Sequence, residues 1–306
     1  MMIETKHPNA ATSVPAGSSG EAQSQSTDRR ASEGAPRVSR NTASGQVSDW
    51  KSYVLPVLPM AVILIAWEII AKALEIPPYF LPTPTIIIGE MFSSGAEITR
   101  LLDHAFFTAT AVLLGFAIAV IGSMALAVLT LYWQTLEKMV TPLLVGSQVV
   151  PKVALAPLFI VWFGFGMTSK VLMVILISFF PVVISTLLGL RSVRSDWLLV
   201  TKSMGAGRIQ ELWKVRFPAA LPEIFGGLKL GMTLAIVGAV VGEFVGSDKG
   251  LGYAMVVARA ALDTPKVFAI LFWLVALGLV LYGGVVAAER VALGRRAKKL
   301  LLGAGM

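Results

Sequence analysis

Few side chains in this sequence can act chemically on a substrate. It holds no cysteine and two histidines, His7 and His104, so neither a disulfide nor a thiolate metal site is available. No acid, base and nucleophile stand at the spacing that hydrolysis or acyl transfer needs, and no metal or cofactor is expected on this chain. A Gly-x-x-x-x-Gly-Lys-Ser/Thr run is missing too, so there is no phosphate-cradling loop. What remains is a set of charges and glycines in apolar surroundings. Lys152 stands between Pro151 and Pro157 in a stretch of otherwise apolar residues. An ionisable group at membrane depth is costly and points to function, and prolines free backbone carbonyls that protein or a water-filled path must satisfy. This segment is expected to line a pathway in which Lys152 attracts an anionic substrate; the alternative is a short or tilted helix whose lysine reaches a carbonyl or the interface. Gly227, Gly231, Ala235, Gly238 and Gly242 recur at three- and four-residue steps. Small side chains on one helix face let another helix approach closely, for packing, at a dimer axis or along the pathway. Glu243, just past that face, is expected at the outer surface, paired with Lys249 or Arg259 or simply interfacial.

The elements that must position these residues follow from composition. Of 306 residues 56% are hydrophobic and 14% charged, too apolar for a water-soluble domain, so a bilayer is the solvent. A hydrocarbon core of ~30 Å takes ~20 helical residues. Spans are expected at about 53–72, 105–131, 142–165, 170–190, 224–246 and 267–288, the third interrupted by Pro151, Lys152 and Pro157. In the fifth, Lys229 and Glu243 lie 14 residues apart, roughly 21 Å of helix, which lets them snorkel to opposite interfaces. The domain organisation is then a disordered tail over 1–50, a transmembrane domain over 51–290 and a basic terminus over 291–306. The tail is rich in Ser, Gly, Ala, Gln and Thr, and no apolar run precedes Tyr53, so it is not a signal peptide.

Charge distribution orients the spans. With both ends on one side, seventeen Lys and Arg fall in one set of loops, including Arg191 to Arg216 and Arg290 to Lys299, against five in the other, Arg100, Lys170, Lys249, Arg259 and Lys266. The positive-inside rule puts both termini and the 191–224 loop in the cytoplasm. The net charge of +8 is explained without nucleic acid. No symmetry between the halves is visible, which speaks against a secondary, ion-coupled carrier, as does the scarcity of intramembrane carboxylates beyond Glu68 and Glu243.

The loop between the fourth and fifth spans is the longest ordered-looking cytoplasmic segment. It reads as a short helix from Asp196, a turn at Gly205-Ala206-Gly207, and a second short helix stopped near Pro218. By spacing, Ile209, Leu212, Trp213 and Phe217 share one face while Arg208, Gln210, Glu211 and Lys214 face elsewhere. Such a helix needs a receiver for its apolar face: headgroups, its own neighbours or a groove on a partner.

These residues resemble the EAA loop of the inner-membrane permeases of binding-protein-dependent ABC importers, with Gly205 at the glycine, Phe217-Pro218 at the Leu-Pro and Pro222 at the second proline. Leu199-Val200-Thr201 replaces the Glu-Ala-Ala itself and removes its acidic residue. Two further blocks are similar to the nitrate, sulfonate and taurine branch: Val150 to Gly166 (PKVALAPLFIVWFGFG after Val150) resembles its third-span signature, and Gly242 to Gly252 (GEFVGSDKGLG) its fifth-span exit. The likeness covers roughly 53–290. It implies an all-α, type I (MetI-like) permease fold in a bacterial inner membrane and a homodimer with two cytoplasmic ATPase subunits that bind the ATP and Mg. It also implies a periplasmic substrate-binding protein, with lipid around the assembly. The loop would be the ATPase-coupling element through Gly205, Ala206, Arg208, Ile209, Leu212, Trp213, Phe217 and Pro218; Pro151, Lys152, Pro157, Gly238 and Gly242 are candidates for the pathway. The branch suggests a small anionic solute, although it also includes importers of thiamine-precursor pyrimidines, riboflavin and aromatic acids.

Overall fold

The computed structural model of the chain describes the backbone of residues 49–303 and the side chains of 58–294. The chain divides into two units, Met1–Val57 and Leu58–Met306. Of the first, only helical residues 49–57 are described, so the expected tail lies almost wholly outside the described residues; all that follows concerns the second.

The described residues are all helical in their regular structure. In chain order they form α1 (Asp49–Ala73), α2 (Pro84–Met91), α3 (Gly95–Tyr132), α4 (Gln134–Val149), a 3₁₀ turn (Lys152–Leu155), α5 (Ala156–Phe163), α6 (Met167–Arg191), α7 (Ser195–Ser203), α8 (Arg208–Glu211), a π turn (Leu212–Arg216), α9 (Phe217–Val245), α10 (Leu251–Ala260) and α11 (Thr264–Gly303). Among the described residues four stretches are long and apolar enough to cross a membrane: Gly95–Tyr132, Met167–Arg191, Arg208–Val245 and Thr264–Gly294. A fifth candidate, Gln134–Val149 with Lys152–Phe163, is bent by 89°. The expected spans at about 105–131, 170–190, 224–246 and 267–288 overlap these four stretches and that at 142–165 overlaps the bent pair; the first, at 53–72, lies in α1, whose side chains are described only from Leu58. Large apolar side chains on the outer faces, such as Ile63 on α1 and Leu279 and Val280 on α11, are more than half exposed. A rim of this kind requires an apolar solvent.

The core is built where helices approach most closely. α6 packs along α9 on one side and α3 on the other, around Val112, Phe116, Val174, Val182, Met232, Ala235 and Ala239. The small-residue face of α9 forms this seam. A Cβ on Gly238 would stand 3.0 Å from both the Met173 carbonyl oxygen and the Val174 Cα, and one on Gly242 3.3 Å from Lys170 Cα. Hydrocarbon supplies no hydrophobic drive between helices, so close van der Waals contact has to hold them. Polar side chains in the bundle close on backbone carbonyls, as Ser123 Oγ does on Phe179 O at 2.9 Å and Ser178 Oγ on Val174 O at 2.7 Å. Lys229 donates to Glu289 of α11 at 3.0 and 3.1 Å. Each charge offsets the other's desolvation where neither reaches bulk water freely.

Candidate functional site

The loop between α6 and α9 begins with α7, which ends in a Schellman motif. Gly205 takes a left-handed φ of +76°, its N–H bonds Lys202 O at 3.0 Å, and the Ala206 N–H bonds Thr201 O at 3.1 Å. Those two bonds satisfy carbonyls that the last helical turn leaves open, and glycine is the residue that enters this region without a Cβ penalty. None of the α7 residues is buried; Leu199 and Val200, at the positions where the motif's acidic residue is replaced, are 66% and 58% exposed. Trp197, Val200, Thr201 and Val215 line a cleft of about 430 Å³ between α7 and the second helical segment.

The second segment corrects the sequence reading in two respects. Pro218 does not stop it: α8, the π turn and α9 run on as one span-length helix, Arg208–Val245. Proline's ring would clash with the carbonyl four residues back in a regular α-helix. Here the chain widens just before it, the Phe217 N–H bonding Leu212 O, and a π turn of this kind makes room for the ring. The same widening splits the expected apolar face. Ile209 and Trp213 point outward, 75% and 62% exposed, whereas Leu212 turns inward with 8% exposed. Leu212 joins Ala127, Leu187, Leu190, Ala220 and Ile224. Phe217 stays beside Trp213, ring centroids 5.2 Å apart. Glu211, expected on a solvated face, is buried, and its Oε1 accepts from Arg216 Nε at 2.6 Å. Arg208 and Ala206 occupy the turn into this segment, where Tyr132 Oη donates to Arg208 O at 3.0 Å.

The broken span places the pathway candidates apart from one another. Pro151 marks the 89° bend, while Pro157 initiates α5 at its second position; Pro157 is thus a helix starter rather than an interruption, since an N–H is dispensable in a first turn. Lys152 lies 4.6 Å from the centroid of the Phe180 ring. With Gln148, Phe180, Pro181, Ile184, Ser185 and Leu230 it lines a cavity of about 260 Å³ that has no carboxylate in its wall. Gly238 and Gly242 do not share that cavity; both are buried in the seam between α9 and α6.

The block from Gly242 to Gly252 has a role that spacing did not reveal. Glu243 is buried, 1% exposed, rather than at the outer surface. Its Oε2 accepts from the Gly252 N–H at 2.7 Å and its Oε1 from Thr108 Oγ at 2.8 Å. Thr108 Oγ accepts from the Leu251 N–H at 2.9 Å, and His104 Nδ1 from the Gly250 N–H at 3.0 Å. The open N–H groups at the start of α10 are therefore capped from α3 and α9, an arrangement favoured by the positive end of the helix. A Cβ on Gly250 would lie 2.2 Å from the Glu243 carboxyl carbon. Lys170, expected in an external loop, is fully buried and donates to the carbonyls of Phe165 and Gly166. The signal that could have found Glu243 is its run of following glycines, but its partners lie as far as 135 residues away.

The described residues form a helical bundle with several helices apolar enough to cross a membrane and, between α6 and α9, a loop of short helices. Residues 111–291 match the family described as binding-protein-dependent transport system inner membrane component. The riboflavin transport system permease protein RibX of Chloroflexus aurantiacus is 39% identical over 80% of this chain and 91% of its own. The formylaminopyrimidine transport permease protein ThiX of Halalkalibacterium halodurans is 33% identical over 80% and 96%. Permeases named for aliphatic sulfonates, taurine and nitrate match at 26–35% identity. In fold, the chain is similar to one of the inward-facing MetNI methionine ABC transporter, with a TM-score of 0.58 and 16% identity over 65% of this chain and 99% of that one. The chain belongs to the binding-protein-dependent transport inner-membrane components and is the permease subunit of an ABC importer, with ATP hydrolysis on a separate subunit. The secondary-carrier alternative is thereby set aside.

Proposed function

We propose that this permease forms, as a homodimer with both termini cytoplasmic, the pathway for a small anionic solute handed over by a periplasmic binding protein. An ATPase dimer that binds ATP and Mg docks on the loop of α7, α8 and the π turn. The observation that carries the anionic reading is the cavity at the broken span. It presents the cation of Lys152, the amide of Gln148 and the hydroxyl of Ser185, with no carboxylate in its wall to neutralise them. A charge at this depth attracts the opposite sign. Relatives named for taurine, sulfonates and nitrate support it. The likeness to RibX at 39% identity and to ThiX at 33% supports a second reading, in which the same machinery carries a riboflavin- or pyrimidine-like solute; an aromatic acid would meet both chemistries.

The test is uptake into proteoliposomes holding the complete complex, with ATP on the ATPase side and nitrate, taurine, riboflavin and formylaminopyrimidine as probes. Transport of an anion that drops at least about tenfold in Lys152→Met, the order expected when 1.4 kcal/mol of attraction is lost, and recovers in Lys152→Arg supports the reading. Anion uptake unchanged in Lys152→Met, or uptake of riboflavin alone, overturns it.

A further inference from the structure

Within the coupling loop, one contact reaches beyond the loop into the bundle. Arg216 follows Glu211 by five residues, a separation that in an α-helix puts two side chains about 140° apart around the axis. The π turn Leu212–Arg216 alters this, because i to i+5 hydrogen bonding brings the fifth residue back over the first. The Arg216 guanidinium then meets Glu211 Oε1 through Nε at 2.6 Å and donates from Nη1 to the Leu190 carbonyl at 3.1 Å. Leu190 lies in the last turn of α6, where carbonyls have no partner within their own helix. The two side chains are 16% and 7% exposed, so parting them would strand a charge out of water.

The remaining contacts of this segment are of a different kind. Leu212 packs against Ala127, Leu187, Leu190, Ala220 and Ile224. Apolar packing resists compression, but it is non-directional and yields to sliding or separation. Directional, charge-assisted hydrogen bonds from one guanidinium to two partners resist both. α6 in turn carries Phe180 and Pro181 into the wall of the Lys152 cavity, ten residues before Leu190, or about 15 Å along the rod.

We infer that Arg216 is a positioning residue of the transport cycle: it ties displacement of the coupling loop to the cytoplasmic end of α6, and through α6 to the cavity at Lys152. The inference rests on the reading of the loop as the seat of the ATPase. Ile209 and Trp213, outward and exposed, receive the motion; packing through Leu212 transmits a push; Arg216 transmits a pull.

Because the chain has no cysteine, single spin labels can be placed at Ile209→Cys on the loop and at Leu188→Cys on α6, positions 75% and 62% exposed. The permease assembled with its ATPase subunits in lipid nanodiscs is measured without nucleotide and with ATP and vanadate, reading the distance between the labels of the two copies. In the otherwise unaltered chain both labels shift. In Arg216→Met the label at position 209 keeps its shift and the label at 188 loses it. Removing Arg216 alone leaves Glu211 buried without its partner, so the double variant Glu211→Met, Arg216→Met is measured as well, and it is expected to show the same loss. Equal shifts at both positions in either assembled variant overturn the inference. Absence of a shift at 209 in the unaltered loop overturns the coupling reading itself, a result distinguishable from failure of Arg216 alone.

Discussion

Replacing Gly205 isolates a backbone effect from a packing effect, because a Cβ at this position meets nothing within 4 Å. The penalty for another residue comes from the φ of +76°, about 1–2 kcal/mol for an L-residue and largest for a β-branched one. Asn, which tolerates the left-handed region, loses less. Since α7 has no buried residue, its ordering is held by helix propensity and its cap, with little tertiary packing in reserve. Strain at Gly205 therefore passes almost undiminished into the population of the ordered loop, and about 1.4 kcal/mol is a tenfold change. If the ATPase binds the ordered loop, Gly205→Val weakens its affinity by about tenfold, Gly205→Asn weakens it less, and the melting temperature of the membrane domain stays where it was. The assay is titration of a fluorescently labelled ATPase subunit onto the permease in nanodiscs. Unchanged affinity in Gly205→Val, or Asn as damaging as Val, would refute the assignment of the cost to backbone conformation.

Two other substitutions separate packing from capping. In Gly238→Ala the new methyl presses on the backbone of Met173 and Val174 at 3.0 Å, which cannot rotate away, so a loss of about 1–3 kcal/mol is expected. Gly278→Ala, whose nearest neighbour is the flexible end of Ile236 at 3.5 Å, leaves the melting temperature in detergent unchanged and serves as the control. Glu243→Ala leaves the buried Gly252 N–H without its acceptor, costing about 1–3 kcal/mol, while the Thr108 hydroxyl keeps the His104 carbonyl at 3.1 Å, and it speeds amide exchange at Leu251 and Gly252. Glu243→Gln keeps one carbonyl oxygen for Gly252 and an amide that can donate to Thr108, so its exchange rates fall between those of Ala and the unaltered chain.

Much of the architecture could be read from runs of apolar residues, because a bilayer imposes a minimum length on every span and tolerates little else. The turn at Gly205 was legible for a similar reason: a glycine between two short amphipathic stretches has few conformations to serve. What escaped depended on contacts that spacing does not encode. Pro218 looked like a helix stop because proline breaks α-helical hydrogen bonding, and only a π turn upstream lets the helix continue. Glu211 looked solvent-facing for the same reason, since the expected face was counted at 3.6 residues per turn through a segment that does not keep that period. Glu243 and Lys170 looked like outer-surface charges because their partners, Thr108 and the carbonyls of Phe165 and Gly166, are brought close only by tertiary packing. Likewise, the glycine face of α9 was visible as a face, but its occupant, α6 of the same chain, was not.

The cap on α10 has a mechanical consequence. His104, Thr108 and Glu243 reach from two different helices to three successive N–H groups, so separating α3 from α9 at that end would leave buried donors empty all at once, at about 1–3 kcal/mol each. That corner of the molecule behaves as a welded joint. A transporter must nevertheless open to both sides of the membrane in turn. The compliance this demands has to come from elsewhere in the subunit or from sliding between subunits, with the joined ends of α3, α9 and α10 carried along as one block.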